Sequence, residues 1–308
     1  MRTVAILGMG TMGPGMAARL ARGGLDVVAA DVSADAVERA RGLLPVCDAT
    51  LDQLGIDVPA DGPGTVRFVG DAAEAVAGAD LVIENVPEKV EVKADLYRAI
   101  EPLIGPETIV ASDTSGIPIT TLQAHLDRPH RLVGMHWSNP PHIIPMIEVV
   151  SGEKTAPAVR DAVVGLIRSL GLLPVVVKKD VPGFVENRVL YAVMREAINL
   201  VDQGVIDPED LDVCVGWGIG YKLSVVGPMA LLDMAGLDVY RNVASFLNAE
   251  LCDRKDVSPT ILARTEAGKL GLKTGEGLFA YPGDRAATLQ ADRAKRLVAV
   301  RRALEGRD

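Results

Sequence analysis

Residues 4–13 read Val4-Ala5-Ile6-Leu7-Gly8-Met9-Gly10-Thr11-Met12-Gly13. The first four form a short apolar run bounded by glycine, as in a strand buried on both faces of a parallel sheet. Gly8, Gly10 and Gly13 then make a GxGxxG turn, and a helical pattern runs from Pro14 toward Arg22. Gly23-Gly24 stops it, and Val27-Val28-Ala29-Ala30 is a second apolar run closing on Asp31. Each glycine has its own physical role. Gly8 allows the tight turn, Gly10 lets backbone approach a pyrophosphate, and Gly13 lets helix pack on strand. The helix N-terminus faces the phosphates. Asp31 can bind both ribose hydroxyls and would repel a 2′-phosphate, so the expected cofactor is NAD rather than NADP. Gly8, Gly10, Thr11, Met12, Gly13 and Asp31 are its candidate contacts.

Working outward, Asp80–Glu84, Ile109–Ala111, Leu132–Met135, Met146–Val150 and Val175–Val177 also read as strands, most of them separated by helical stretches. The expected fold is α/β, a Rossmann-type doubly wound, mostly parallel sheet. Asp180-Val181-Pro182-Gly183 is turn-like and sets an expected boundary, with an NAD-binding domain over 1–182 and a second domain over 183–308. After it, Phe184 to Gly204 is one long amphipathic helix pattern, with further helices expected at 208–215, 226–236, 237–251 and 286–305. That second domain is expected to be all-helical.

Composition narrows the partners. The 308 residues are 48% hydrophobic and 24% charged, and 41 acids against 32 bases give a net charge of −9. Such a surface repels nucleic acid and anionic membranes, so neither is expected as a partner. Aromatic residues at 4% leave few stacking platforms for single strands. Cys47, Cys214 and Cys252 are scattered and odd in number, so no disulfide framework or CxxC metal site is expected. No apolar run reaches the roughly 18 residues of a membrane helix, and no signal pattern opens the chain. A cytoplasmic protein is expected.

The chemistry concentrates near His136, which closes an apolar strand in Gly134-Met135-His136-Trp137-Ser138-Asn139-Pro140-Pro141. Ligands of such sheets bind beyond the carboxyl ends of strands. Twelve residues later Glu148 lies inside Ile147-Glu148-Val149-Val150, where a carboxylate needs a partner to offset desolvation. A histidine would serve, and the pair would make a general base; a buried pair without chemistry, or a glutamate at a strand edge, reads equally well. The spacing of His136 and His142 fits no common zinc pattern, so no metal is expected. Ser112-Asp113-Thr114-Ser115-Gly116 follows a strand and brings hydroxyls to the same edge, or caps a helix. Pro182-Gly183-Phe184-Val185-Glu186-Asn187-Arg188 opens the long helix, where Asn187 is either a ligand contact or a packing amide.

On these residues the chain resembles the 3-hydroxyacyl-CoA dehydrogenase family over nearly its full length. The glycine turn, Glu88 with Lys93, the Ser112–Ser115 turn, His136-x-x-Asn139-Pro140 with Glu148, Pro182-Gly183-Phe184 with Asn187-Arg188, and Lys273-Thr274-Gly275-Glu276-Gly277 carry the likeness. The resemblance implies a catalytic His136–Glu148 pair, substrate contacts from Ser115 and Asn187, Glu88 and Lys93 near the nicotinamide, and a homodimer formed by the helical domain. Asp113, where the family usually has Asn, joins the cofactor set. The chain departs from the acyl-CoA pattern there, at Ile144-Pro145-Met146 where a basic residue is common, and in 35–70, whose bases are Arg39, Arg41 and Arg67 with no lysine. Phosphate-rich CoA is a less obvious guest for such a site. His136–Glu148 and Trp217-Gly218-Ile219-Gly220-Tyr221-Lys222 are similar to a branch that oxidises a pyridine aldehyde in vitamin B6 breakdown. The expected small-molecule substrate is therefore a pyridine aldehyde, with a hydroxyacyl-CoA as the alternative and a catalytically silent NAD-binding protein as a reading of another class. The β-hydroxyacid dehydrogenases share the glycine turn but use a lysine on the interdomain helix, and none occurs between Lys179 and Lys222.

Overall fold

The computed structural model describes residues 1–306. The chain divides into two compact units, the first ending at Asn187 and the second beginning at Arg188. In the first, β1 (Thr3–Leu7), α1 (Gly13–Arg22), β2 (Asp26–Ala30), α2 (Ala34–Gln53), β3 (Val66–Val69), α3 (Ala72–Val76) and β4 (Leu81–Glu84) follow in order. They continue with α4 (Val90–Ile100), β5 (Ile109–Ser112), α5 (Ile119–Gln123), β6 (Leu132–Trp137), β7 (Met146–Val150), α6 (Pro157–Ser169) and β8 (Leu173–Val177). Among the described residues the strands form one eight-stranded sheet in the order β3-β2-β1-β4-β5-β6-β7-β8. All pairs are parallel except β6 with β7. Strand order reverses between β1 and β4, which sets the crevice where ligands of such sheets bind beside the glycine turn.

The two-residue period of a strand sends alternate side chains to opposite faces. Val4 and Ile6 join Met16 and Leu20 of α1 and Val163 and Ile167 of α6 on one side. Ala5 and Leu7 join Val76 of α3, Tyr97 and Ile100 of α4 and Leu122 of α5 on the other. β4, β5 and β6 are buried along their whole length, so their continuous apolar runs are what a doubly covered sheet requires. Each fully buried Leu, Ile or Val contributes about 1.5–3 kcal/mol relative to exposure. β3 was not expected from its sequence: Val-Arg-Phe-Val is a short edge strand with an exposed arginine, and it carries no continuous apolar run.

Charged residues are buried in this unit as well, Arg19, Lys93 and Glu148 among them. Glu84, at the end of β4, is completely buried. It accepts hydrogen bonds from Lys93 Nζ (2.6 Å), Tyr97 Oη (2.8 Å), Ser112 Oγ (2.6 Å) and Val86 N (3.0 Å). A buried carboxylate survives only with such a set of donors. The set ties the ends of β4 and β5 to α4 and fixes the carboxyl edge of the sheet.

The second unit contains the remainder of α7 (Glu186–Asp202), then α8 (Pro208–Val213), a wider π-helical stretch Cys214–Gly220, α9 (Tyr221–Val225), α10 (Pro228–Ala235), α11 (Leu237–Leu247), α12 (Pro259–Glu266) and α13 (Arg285–Leu304). Only isolated bridges, Gly271 to Glu276 and Glu276 to Ala280, interrupt its helical character among the described residues. Ser258, before α12, donates to Asp202 at the end of α7 (2.8 Å), and Arg254 pairs with the same carboxylate (3.1 Å).

The buried Glu84–Lys93 pair makes a stability prediction. Lys93→Met leaves Glu84 without its counter-charge and should destabilise the first unit by about 3–5 kcal/mol. A urea unfolding midpoint unchanged from wild type would contradict this account of the edge.

Candidate active site

The glycine turn is built by close approach. Gly8 has φ +110°, and a Cβ there would sit 2.2 Å from the carbonyl oxygen of Asn85, so no other residue fits. Asn85 returns the contact by donating from Nδ2 to the Gly8 carbonyl (3.0 Å). A Cβ on Gly13 would meet the Gly8 carbonyl at 2.6 Å, whereas one on Gly10 would meet no protein atom within 4 Å. Packing therefore demands glycine at 8 and 13, while at 10 it leaves a backbone face open to a phosphate. Met12 precedes α1 without a side-chain cap, and no acid lies in the first turn of α1. The unpaired N–H groups and positive end of that helix suit an anion. Asp31 accepts from Met9 N (2.7 Å) and Ser33 N (2.8 Å), which fixes its carboxylate beside the turn that carries Thr11. The residues present fit a dinucleotide with a free 2′-hydroxyl.

A second group lies at the ends of β4 and β5. Glu88 Oε1 accepts from Thr114 Oγ1 (2.6 Å), Ser115 N (3.0 Å) and Gly116 N (3.1 Å), and Glu88 Oε2 lies 3.3 Å from Lys93 Nζ. Burial would raise the Glu88 pKa, but the Thr114 bond and the Lys93 charge outweigh it, so the carboxyl is held below its ordinary range. Lys93 is almost fully buried and its ammonium is committed to Glu84 and Glu88. It stands behind the 112–116 turn and shapes it through Glu88. Asp113 is buried and accepts from Trp137 N (2.8 Å). Burial pushes its pKa up to about 8 against that bond and the nearby His136. At neutral pH it carries a proton and offers one donor and one acceptor, as an asparagine amide does. The departure from the expected Asn thus keeps the hydrogen-bonding character.

The third group is formed across β6 and β7. Their antiparallel register sets His136 directly opposite Glu148, and Nδ1 lies 2.8 Å from Glu148 Oε2. Both side chains are buried. Glu148 Oε1 accepts from the consecutive backbone groups Val185 N (2.9 Å) and Glu186 N (3.1 Å). These two N–H groups point the same way because Phe184, before them, has φ +49°, the one non-glycine residue with positive φ among those described. Such a backbone costs about 1–3 kcal/mol and persists only where its surroundings hold it. Here the Phe184 ring is fully buried, 5.9 Å from the imidazole centre.

The electrostatics follow. Burial opposes the charged form of Glu148, but the His136 bond and the two backbone donors hold its pKa low. A carboxylate can only accept, so Nδ1 carries the hydrogen and Nε2 holds the lone pair of the neutral ring. Burial alone would lower the His136 pKa; the Glu148 bond reverses this and raises it, with the carboxyl groups of Asp113, Glu148 and Glu186 acting in the same direction wherever they are ionised. Ser138 Oγ donates to Glu186 Oε1 (2.7 Å). His136, Glu148 and Glu186 place one ligating atom each within 4.8 Å of one another. The Glu148 oxygens are already engaged by three donors, and the group reads as a hydrogen-bonded cluster rather than a metal cage. His142 stands apart, close against α1, where a Cβ on Gly15 would lie 2.8 Å from its Nδ1.

Ser115 and Asn187 are brought together as well. Asn187 Nδ2 donates to the Ser115 carbonyl (2.6 Å), a bond at the exposed surface. His136, Glu148, Ser115 and Asn187 all belong to the first unit, as do Glu88, Asp113 and the glycine turn. The sequence does not mark Glu84 or Glu186 as site residues, and it marks Phe184 only through the Pro182-Gly183-Phe184 motif. Glu84 carries the same signal as Glu148, a carboxylate inside an apolar run. The positive φ of Phe184 leaves no compositional trace.

The model of the 3-hydroxyacyl-CoA dehydrogenase NAD-binding domain matches residues 3–181, and that of the C-terminal domain matches 183–281. A 5-formyl-3-hydroxy-2-methylpyridine 4-carboxylate 5-dehydrogenase of Mesorhizobium japonicum is 68% identical over 307 residues, covering 100% of this chain and 99% of that enzyme. A crystal structure of an enzyme of that name, described as an NAD+-dependent dismutase, superposes with TM-score 0.98 at 68% identity, covering 100% of both chains. An (S)-3-hydroxybutyryl-CoA dehydrogenase from Ralstonia eutropha gives TM-score 0.72 at 32% identity, covering 92% of this chain and 99% of that one.

The His136–Glu148 geometry makes a titration prediction. By NMR the imidazole should titrate above its ordinary value of about 6.5, and in Glu148→Gln the midpoint should fall. Because the folded value lies above the unfolded one, this proton's stabilisation is complete below about pH 6.5 and is lost as pH rises through the folded midpoint. A midpoint unmoved by Glu148→Gln would contradict the pairing.

Proposed function

The chain belongs to the 3-hydroxyacyl-CoA dehydrogenase family and is an NAD-dependent oxidoreductase, and on that premise we propose that it oxidises 5-formyl-3-hydroxy-2-methylpyridine 4-carboxylate to the 4,5-dicarboxylate. The observation that carries the reaction class is the buried His136–Glu148 pair at the carboxyl edge of an NAD-binding sheet. Full-length likeness to an enzyme of that name supports the substrate. So does the absence of lysine from residues 35–70, a poor setting for CoA phosphates.

NAD supplies the hydride acceptor. His136 Nε2 takes the hydroxyl proton of the aldehyde hydrate as its C–H bond is lost, and Glu148 stabilises the resulting imidazolium. Ser115 and Asn187, joined by their hydrogen bond, hold the reacting oxygen. Protonated Asp113 and the Glu88-ordered turn would line the nicotinamide side, with Lys93 holding Glu88. Asp31 and the glycine turn, from Gly8 through Met12 to Gly13, would hold the adenosine and pyrophosphate.

A homodimer built on the helical unit is part of the same reading. α10 and α11 have no buried residue although their sequences are rich in Leu, Met, Val and Phe. Trp217 is 74% exposed and Met234 75% exposed. Apolar surface on this scale calls for cover, and a second copy is the commonest cover. No single helix among the described residues is long and apolar enough to cross a membrane; the bent pair Pro208–Val225 and Pro228–Ala235 passes by length and composition only, and we assign its apolar face to the partner copy. A cytoplasmic location accompanies the reading, consistent with three free cysteines.

The test is NADH absorbance with purified protein, comparing the aldehyde plus NAD with acetoacetyl-CoA plus NADH. Turnover of the aldehyde alone is expected, and His136→Gln should reduce it about 10²–10⁴-fold while NAD binding persists. Turnover of the thioester alone would transfer the chain to acyl-CoA chemistry. For the assembly, equilibrium sedimentation should give twice the chain mass, and Met234→Glu with Phe246→Glu should shift it toward one; a wild-type monomer at micromolar concentration would overturn the dimer.

A further inference from the structure

Glu186, on the first turn of α7, has no part in the hydride transfer described above, yet it lies within the catalytic cluster. One of its oxygens is within 4.8 Å of ligating atoms of both His136 and Glu148. Its surroundings differ from those of Glu148. Glu148 is spent on three donors. Glu186 receives one neutral hydroxyl, Ser138 Oγ, on Oε1, and its Oε2 is buried without a hydrogen-bond partner in the protein. Among the described residues no lysine or arginine pairs with it. A carboxylate with one neutral donor favours the charged form of a neighbouring imidazole.

A dehydrogenase that only oxidises needs a histidine that starts neutral. A dismutase needs more. In one half, a hydroxyl of the hydrate loses its proton to Nε2 as hydride leaves for NAD and the acid forms. In the other, hydride returns to a second aldehyde and Nε2 gives its proton to the new alcohol oxygen. The sum is two aldehydes and one water giving one acid and one alcohol, with the cofactor restored and no outside oxidant. The two halves require opposite protonation states of one imidazole, so throughput is greatest where both states are populated.

We propose that Glu186 is a positioning residue acting through His136, keeping the imidazole able to serve as base and acid in turn so that one site completes both halves of an aldehyde dismutation. The proposal rests on the aldehyde reading of the preceding subsection. The groups facing His136 are Glu148 from β7, Asp113 after β5 and Glu186 from α7. Asp113 adds negative charge only as pH rises past about 8, and Glu148 is required for the ring's orientation. Glu186 is the remaining lever, and it raises the His136 pKa.

The test measures three pH profiles in wild type, Glu186→Gln and Glu186→Asp: aldehyde oxidation with NAD, aldehyde reduction with NADH, and the NMR titration of His136 without substrate. Oxidation should rise with pH, and reduction fall, through a shared midpoint. In Glu186→Gln the two limbs and the NMR midpoint should move down together, by less than the fall in Glu148→Gln, and Glu186→Asp should restore most of the shift. Ser138→Ala, which strips the carboxylate of its one donor, should move the midpoint up and serves if Glu186→Gln does not fold. An NMR midpoint unmoved by these substitutions overturns the proposal, as does one that moves while the kinetic limbs stay. Wild-type protein inert toward the aldehyde overturns the substrate reading itself and the dismutation with it, whereas the NMR titration reports on the Glu186–His136 coupling in either case.

Discussion

The structure of the site depends on one buried carboxylate. Glu148 accepts three hydrogen bonds, one from the imidazole opposite it in the sheet and two from the backbone that leads into α7. Removing one partner from such a buried pair costs about 3–5 kcal/mol, which is enough to hold Phe184 in its left-handed conformation. The antiparallel turn of the chain between β6 and β7 is what allows His136 and Glu148, twelve residues apart, to face each other on the same side of the sheet. From that side Glu148 also sets the first turn of α7, and so decides where Glu186 and Asn187 stand. The orientation of the His136 ring, its tautomer and the placement of Glu186 follow from a single acceptor group.

A second buried carboxylate organises the neighbouring sheet edge. Glu84 pins the ends of β4 and β5 to α4 through Lys93, Tyr97 and Ser112. Lys93 in turn anchors Glu88, and Glu88 orders the turn carrying Ser115. Ion pairs that bring no net gain over a hydrophobic core still fix geometry. Here they place donors and acceptors at a sheet edge whose loops would otherwise have no rigid support. The protonated Asp113 sits between the two networks, bonded to the backbone of Trp137 beside His136.

Much of this was legible in the residues. The glycine turn, Asp31 and the continuous apolar runs announce a parallel sheet because burial on both faces leaves no room for alternation. His136 and Glu148 were visible because a carboxylate among β-branched residues demands a partner. β3 escaped because an edge strand with one solvated arginine lacks that continuity, and α12 because its eight residues follow a polar loop with little periodicity. Glu186 escaped for a different reason. Its significance lies in what it does not bond, and an orphaned oxygen has no signature in a one-dimensional pattern. The same holds for Asp113, whose departure from asparagine looks like a change of charge in the sequence and becomes a change of little consequence once burial keeps the proton on.

The central claim is that His136, held by Glu148, is where the reaction occurs. It is tested most directly by a crystal structure with NAD and the pyridine 4,5-dicarboxylate bound. The account predicts an oxygen of the 5-carboxylate within hydrogen-bond reach of His136 Nε2, about 2.6–3.2 Å, with Ser115 and Asn187 on the same group. A dicarboxylate bound elsewhere, with Nε2 turned away from it, would contradict the account.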